Sequence, residues 1–202
     1  MLSFDPSMNT ERENYKLLIG SIIPRPIAFV TSLGKSGTLN GAPFSYFNIV
    51  SSNPPMISLA IQRNGGKQKD TARNILETKE FVVHIVDQDN VEKVNETAAS
   101  LPPDQSEIER AQLTPVQSTR ISVPGIKEAK VRFECTLEHS VELGGEDSTG
   151  CDLLIGKVVQ FHIDDCLHEN GRINPLALGA VSRLAGQSYA KIGEIFELER
   201  PK

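Results

Sequence analysis

The 202-residue sequence predicts a mainly β, α+β fold: an antiparallel barrel with a few flanking helices. Three observations carry this. From Val131 to Leu143 the odd positions are Val, Phe, Cys, Leu, His, Val and Leu, while the even ones are charged or small and polar. That is a half-buried strand with a period of two. Glu80–Val86 is nearly all apolar, as in a strand covered on both faces. Strand-like segments also follow one another across turns, as in hairpins, where a parallel sheet would need alternating helices.

The elements follow in order. Ile27–Thr31 is a strand, launched by Pro24-Arg25-Pro26, whose prolines favour an extended entry. Gly34–Gly37 is a turn, and a second strand over Thr38–Tyr46 completes a hairpin. Asn53-Pro54-Pro55 is a break before a third strand, Met56–Ile61. Asp70 is a candidate N-cap for a helix over Thr71–Lys79, and Asn90–Ser100 reads as a second helix. Leu101–Pro124 is polar and punctuated by proline, a long excursion with one short strand and the length of a lid. Leu153–Ile163 is a long strand that pairs with Val131–Leu143 through the turn Gly144–Gly150. The tail, Pro175–Leu198, mixes short helical pieces and ends in Ile195-Phe196-Glu197-Leu198. Residues 1–202 are expected to form one domain.

Composition narrows the function. Apolar residues at 39% and charged residues at 23% exclude disordered and fibrous classes. No run of about 18 apolar residues exists to span a membrane, and the opening Met1–Asp5 lacks the pattern of a signal peptide. Three irregularly spaced cysteines suit free thiols in the cytoplasm. The net charge of −5 speaks against nucleic acid. The densest basic stretch holds Arg63, Lys67, Lys69 and Arg73, which suits a phosphate ester better than a duplex.

Familiar catalytic motifs are absent. No G-x-G-x-x-G follows a strand and no G-x-S-x-G occurs. Gly150–Lys157 has one residue too many for a phosphate loop and reads as a strand start. His162, Cys166 and His168 match no common zinc spacing, so no metal is expected. His139, alone on an apolar strand face, is either a satisfied core histidine or a side chain at the rim of a cofactor pocket. Between Arg25 and Asn53, the small polar residues Thr31, Ser32, Asn40, Ser45, Asn48, Ser51 and Ser52 interleave with apolar strand residues. Such groups hydrogen-bond a polar ring edge or a phosphate without bulk. Turn residues of any barrel share this composition, so a structural role stays open.

Four segments resemble a known family in order and spacing: PRPIAFVTS (Pro24–Ser32), LNGAPFSYFNIVSSNPP (Leu39–Pro55), KDTARNI (Lys69–Ile75) and SRLAGQSYAKIGEIFEL (Ser182–Leu198). The chain is similar, over about residues 17–198, to the flavin reductase-like FMN-binding split barrels. These include flavoredoxins and the reductase components of two-component monooxygenases such as the nitrilotriacetate system. The resemblance implies an antiparallel split barrel, a homodimer and one FMN per subunit near the dimer interface. Carried over by position, Thr31 and Ser32 line the isoalloxazine edge. Ser45, Tyr46, Phe47 and Asn48 run along the flavin, with Arg25 also in the cofactor-binding set. Ser51, Ser52, Lys69 and Thr71 lie near the phosphate, and Arg183 and Tyr189 come from the tail; His139, on its rim reading, is added to the candidate cofactor-binding set.

The implied activity is hydride transfer from NAD(P)H to flavin, with the reduced flavin supplied to a partner monooxygenase. Hydride transfer needs no acid or base from the protein, so no catalytic residue is named. Two alternatives stand beside it: a flavoredoxin-like electron carrier with bound FMN, and a non-enzymatic barrel that stores flavin or haem.

Overall fold

The computed structural model describes residues 1–99, 101–102, 104–144 and 149–201. The chain opens with α1 (Glu11–Ser21), which the hydrophobic pattern does not announce because Ile19 is its one buried residue. Its start is set by a reciprocal cap. Thr10 Oγ1 accepts from the Glu13 amide at 3.3 Å, and Glu13 Oε2 accepts from the Thr10 amide at 2.8 Å.

Five strands follow: β1 (Arg25–Pro26), β2 (Ala28–Leu33), β3 (Leu39–Phe44), β4 (Phe47–Ser52) and β5 (Pro55–Gln62). Next come α2 (Asp70–Thr78), β6 (Glu80–Ile85), α3 (Val91–Glu96), α4 (Glu107–Arg110), β7 (Pro115–Val116) and β8 (Gly125–Ile126). The long pair β9 (Val131–Leu143) and β10 (Cys151–Ile163) precedes β11 (His168–Glu169), β12 (Arg172–Ile173) and α5 (Pro175–Leu178). The last strands are β13 (Val181–Arg183) and β14 (Tyr189–Lys191).

Connectivity alone shows that the main sheet is rolled. Its seven strands run β3-β2-β6-β9-β10-β5-β4, each antiparallel to its neighbours. β3 and β4 therefore occupy opposite edges, yet only Ser45 and Tyr46 separate them in the chain. Three residue steps reach at most about 11 Å. The edges must curl round to meet, and they meet at a seam that carries no ladder between β3 and β4.

The barrel interior holds Val30, Leu59, Ile61, Phe81, Cys135 and Leu154, and Ala72 and Ile75 of α2 plug into the same cluster. Gly156, on β10, leaves room for the Phe81 ring: a side chain there would collide with it. A second cluster joins Phe29, Val94, Ile108 and Ile126 outside the sheet. β2 and β6 are covered on both faces, which explains the unbroken apolar run in β6.

Several expectations change. Asn53-Pro54-Pro55 is no mere break but the turn of a hairpin whose first strand, β4, is not among the expected elements. The second strand ends at Phe44, freeing Ser45 and Tyr46 for the seam. Asp70 is not the N-cap of α2. Lys69 holds that position without a side-chain cap bond, and Asp70 instead pairs with Arg73 at 2.7 Å. The second helix spans only Val91–Glu96. In the tail, strands β13 and β14 replace most of the expected helix, and Ile195–Leu198 forms no regular element.

Along β9 the alternation holds only as far as Leu137. Val131 and Cys135 are buried, whereas His139, Val141 and Leu143 are exposed. The pairing with β10 skips Glu138, and the strand beyond that irregularity runs past the core. Glu134, on the polar face, is fully buried, because the Thr119–Arg120 backbone covers it. Four residues of the β9–β10 turn, 145–148, lie outside the described residues, as do Ser100 and Pro103 of the two expected segments they fall in.

The excursion Leu101–Pro124 is bolted down and does not have the character of a lid. Glu134 accepts from the Thr119 and Arg120 amides, both at 2.7 Å, and Glu80 accepts from the Ser122 amide at 2.8 Å. Thr31 Oγ1 donates to Pro124 O at 2.7 Å. His84 completes the attachment: Nε2 accepts from the Ile126 amide and Nδ1 donates to Phe29 O, each at 2.9 Å.

Candidate functional site

The unlatched seam opens into a cleft of two contiguous lobes, about 370 and 420 Å³, which share Ile19, Arg25, Ser45, Tyr46 and Ala60. These volumes are in the range of cofactor sites. Each element brings a distinct contribution. The β3–β4 link supplies Ser45 and Tyr46, and Tyr46 O accepts from the Ala60 amide of β5 at 2.9 Å. α1 supplies Tyr15 and Ile19, and β1 supplies Arg25. Lys69 stands at the entry to α2, with Nζ 5.8 Å from the Phe44 ring centre. The β13–β14 hairpin closes the first lobe. There Arg183 stacks over the Tyr189 ring at 4.4 Å, and the Tyr189 hydroxyl donates to Asn95 Oδ1 at 2.9 Å. Phe47, Asn48 and Ser58 line the second, more apolar lobe with Leu18 and Ile22.

The electrostatics are one-sided. Three cations, Arg25, Lys69 and Arg183, line the cleft, no aspartate or glutamate does, and none of the three is in a salt bridge among the described residues. In a chain of net charge −5 this is a local inversion of sign. Burial pushes the Tyr46 hydroxyl above its ordinary pKa, and the nearby Tyr15 adds to that against the opposing effect of Arg25. The cleft therefore suits a partly apolar molecule that carries negative charge.

The structure gathers eight of the sequence-named residues here: Arg25, Ser45, Tyr46, Phe47, Asn48, Lys69, Arg183 and Tyr189. Six lie elsewhere. Thr31 and Ser32 are fully buried on β2, where Ser32 Oγ is 3.3 Å from Asn40 Oδ1 and 3.2 Å from Asn74 Nδ2, its donor. Thr71 is buried and donates to Asn40 Oδ1 at 2.8 Å. Their hydroxyls belong to the network that joins α2 to the sheet. Ser51 and Ser52 sit at the β4–β5 turn, where Ser51 Oγ accepts from the Asn53 amide at 3.2 Å. His139 is exposed on the upper part of β9, so it is neither a core histidine nor a lining residue of the cleft. The satisfied core histidine is His84.

Tyr15, Ile19, Ala60, Gln62 and Asn95 line the cleft without having been singled out in the sequence. For the α1 pair a signal existed in Thr10-x-x-Glu13, the capping box that marks the helix. Among the described residues no group of three or more His, Cys, Asp or Glu is placed to hold a metal. His162 bonds Glu134 at 2.5 Å, and Cys166 and His168 are exposed. No helix among the described residues is long and apolar enough to cross a membrane.

Comparison with known proteins agrees with this architecture. The chain is 62% identical to nitrilotriacetate monooxygenase component B from Bacillus cereus, with a TM-score of 0.96 and 98% of each chain covered. It is 30% identical to the 2-nitrobenzoate 2-nitroreductase NbaA of Pseudomonas fluorescens, at a TM-score of 0.88 over 99% of this chain and 96% of that one. A Shewanella frigidimarina protein with a split barrel domain shares the fold at 20% identity, a TM-score of 0.84 and full coverage of both chains. Residues 19–180 match the family model described as flavin reductase like domain, and the chain belongs to that family.

Proposed function

We propose that the protein is an NAD(P)H:flavin oxidoreductase that binds FMN in the seam cleft and supplies reduced flavin to a partner monooxygenase. The observation that carries this is the cleft itself: an aromatic- and backbone-lined slot with three cations and no carboxylate. The similarity to a monooxygenase component supports the partner. Three free cysteines support a cytoplasmic setting, and 1–202 is taken as one functional domain.

Bound FMN would supply the acceptance of two electrons from the nicotinamide. The protein's own residues then have separable tasks. The Ser45 backbone and hydroxyl and the Tyr46 amide hydrogen-bond the polar ring edge, while Phe47 and Asn48 border the ring along the second lobe. Lys69, at the start of α2, holds the phosphate, where helix amides and the dipole also favour an anion. Arg183 and Tyr189 shut water out from the side of the tail. Exposed Ile49, Val50, Val141 and Phe161 support a homodimer that covers them.

FMN titration should quench flavin fluorescence with saturation at micromolar concentration, and oxidation of NADH or NADPH should accelerate with added free flavin. A yellow protein inert to both nicotinamides would favour the electron carrier, and a colourless one that takes up haem would favour the storage barrel. Sedimentation that shows only a 22.1 kDa species would remove the homodimer. A second reading draws on the apolar second lobe and the likeness to a nitroreductase: a small aromatic substrate is reduced within the same cleft. Consumption of 2-nitrobenzoate without added free flavin would select it.

A further inference from the structure

We infer that Arg25 is a fixed, uncompensated charge that holds the reduced flavin ring as its anion and thereby raises the redox potential of the bound cofactor. This rests on the cleft being a flavin site and goes beyond it to how the chain tunes the flavin.

Arg25 is only 6% exposed, yet among the described residues it faces no carboxylate, and it lines both lobes of the cleft. Nη1 donates to Ile19 O and Ile22 O, both at 2.7 Å, and Nη2 donates to Leu184 O at 2.9 Å. Nε is buried and has no hydrogen-bond partner among the described residues. A buried charge is ordinarily paired or neutralised, and arginine does not lose its proton. The three carbonyls solvate the guanidinium but bring no counter-charge. They come from the end of α1 and from the tail turn, so the group is locked in place before any ligand arrives. A charge held in this way needs no reorganisation when an opposite charge develops.

That opposite charge follows from the atom balance. The nicotinamide gives up a hydride, two electrons and one proton together, and leaves as its oxidised cation. A neutral oxidised ring that took up this hydride alone would carry one negative charge, with no second proton drawn from solvent. Arg25 then attracts the product more than the reactant. The other charged or titratable groups facing the cleft are Lys69, Arg183, Tyr15, Tyr46 and Tyr189. Lys69 and Tyr189 are exposed and Arg183 is half-buried, so solvent screens these two cations more than it screens Arg25.

The test is the midpoint potential of the FMN-loaded protein, followed spectroscopically against pH. Uptake of one proton with two electrons gives about 30 mV per pH unit between about pH 5.5 and 8, and uptake of two protons gives about 59 mV. The wild type is expected to hold the smaller slope throughout. In Arg25→Gln, affinity for reduced FMN should fall at least tenfold more than affinity for oxidised FMN, which lowers the potential by about 30 mV per tenfold. Arg25→Lys keeps the charge and loses the fork. It should melt earlier than the wild type but keep the smaller slope, and it remains informative if the glutamine variant fails to fold. A wild-type slope of about 59 mV below about pH 6.5 would overturn the inference. So would equal loss of both redox states in Arg25→Gln, which indicates a clamp if riboflavin binding falls as well and a phosphate contact if it does not. Failure of the wild type to bind FMN would instead overturn the flavin site itself.

Discussion

The segment from Asp104 to Ile126 and the seam cleft are both rich in polar groups, but the chain treats them in opposite ways. Along the segment, carboxylates are matched to donors. Glu134 takes two amides and His162, Glu80 takes Ser122, Glu128 takes the Thr114 amide at 3.1 Å, and Glu107 takes Asn40 Nδ2 at 3.0 Å. In the cleft, among the described residues, cations stand without a carboxylate and one guanidinium nitrogen has no partner. A buried polar group that is fully matched is part of the scaffold. One left unmatched costs stability, and a ligand that matches it recovers the difference. Substitutions in the first region should therefore change stability and leave binding alone, and those at exposed cleft residues such as Lys69 should do the reverse, while Arg25, bonded to three carbonyls, should change both.

The largest expected effect is at Glu134. Burial opposes its ionisation, but the Thr119 and Arg120 amides and His162 outweigh burial and hold its pKa below the ordinary value. Glu134→Ala strips two amides of their acceptor and should cost about 3–4 kcal/mol, a melting shift of about 10 °C. Urea unfolding measures it. FMN affinity of the folded variant should stay within about twofold, and a larger loss would break the contrast between the two regions.

His84 tests the same scaffold by pH. Complete burial holds its pKa down to about 4, against the Phe29 carbonyl, which favours the charged ring. Because the folded value is depressed, the contribution is fully present above the unfolded value of about 6.5. It is lost as pH falls towards about 4, some 3 kcal/mol over that window. Glu107 and Asp87, raised mainly by burial, act in the opposite sense near the lower end. The informative quantity is thus the wild-type curve minus that of His84→Gln. A flat difference between about pH 6.5 and 4 would contradict the neutral, doubly bonded imidazole.

On the cleft side, Lys69→Ala should weaken FMN binding about 10- to 100-fold, the value of one hydrogen bond to a charged group. The melting temperature of the apo-protein should not move, since Lys69 is exposed and caps nothing with its side chain. Riboflavin, which lacks the phosphate, should bind as before, and equal loss for both ligands would deny the phosphate contact.

The smallest effect sharpens the comparison at its boundary. Thr31 lies on the strand next to β3, yet its hydroxyl serves Pro124 O and is hidden from the cleft. Thr31→Val should cost about 1 kcal/mol of stability and leave FMN affinity unchanged. Weakened FMN binding at unchanged stability would put Thr31 back at the isoalloxazine edge.

The sequence by itself determined the mainly β, antiparallel class through alternation and turn chemistry, which are local properties of the chain, and the family through its motifs, but it missed β4 and the tail strands. It also determined the central covered strand, since an all-apolar run can only lie between two layers. It placed Lys69, Ser45, Tyr46 and Arg183 in one candidate site through motif resemblance. Only the tertiary structure decided which polar residues face the cleft. Thr31, Ser32 and Thr71 have the same hydroxyl chemistry as Ser45, but a period of two says that a side chain points to one face and not what covers that face. Glu134 and His139 make the same point on β9. The polar-face carboxylate is buried because a segment that begins over 30 residues upstream crosses it, and the apolar-face histidine is exposed because the strand outruns the core. The meaning of Arg25 came last of all. Its lack of a carboxylate partner among the described residues depends on where α1, the seam and the tail turn meet, and pairings between such distant parts of the chain are set by how the sheet closes.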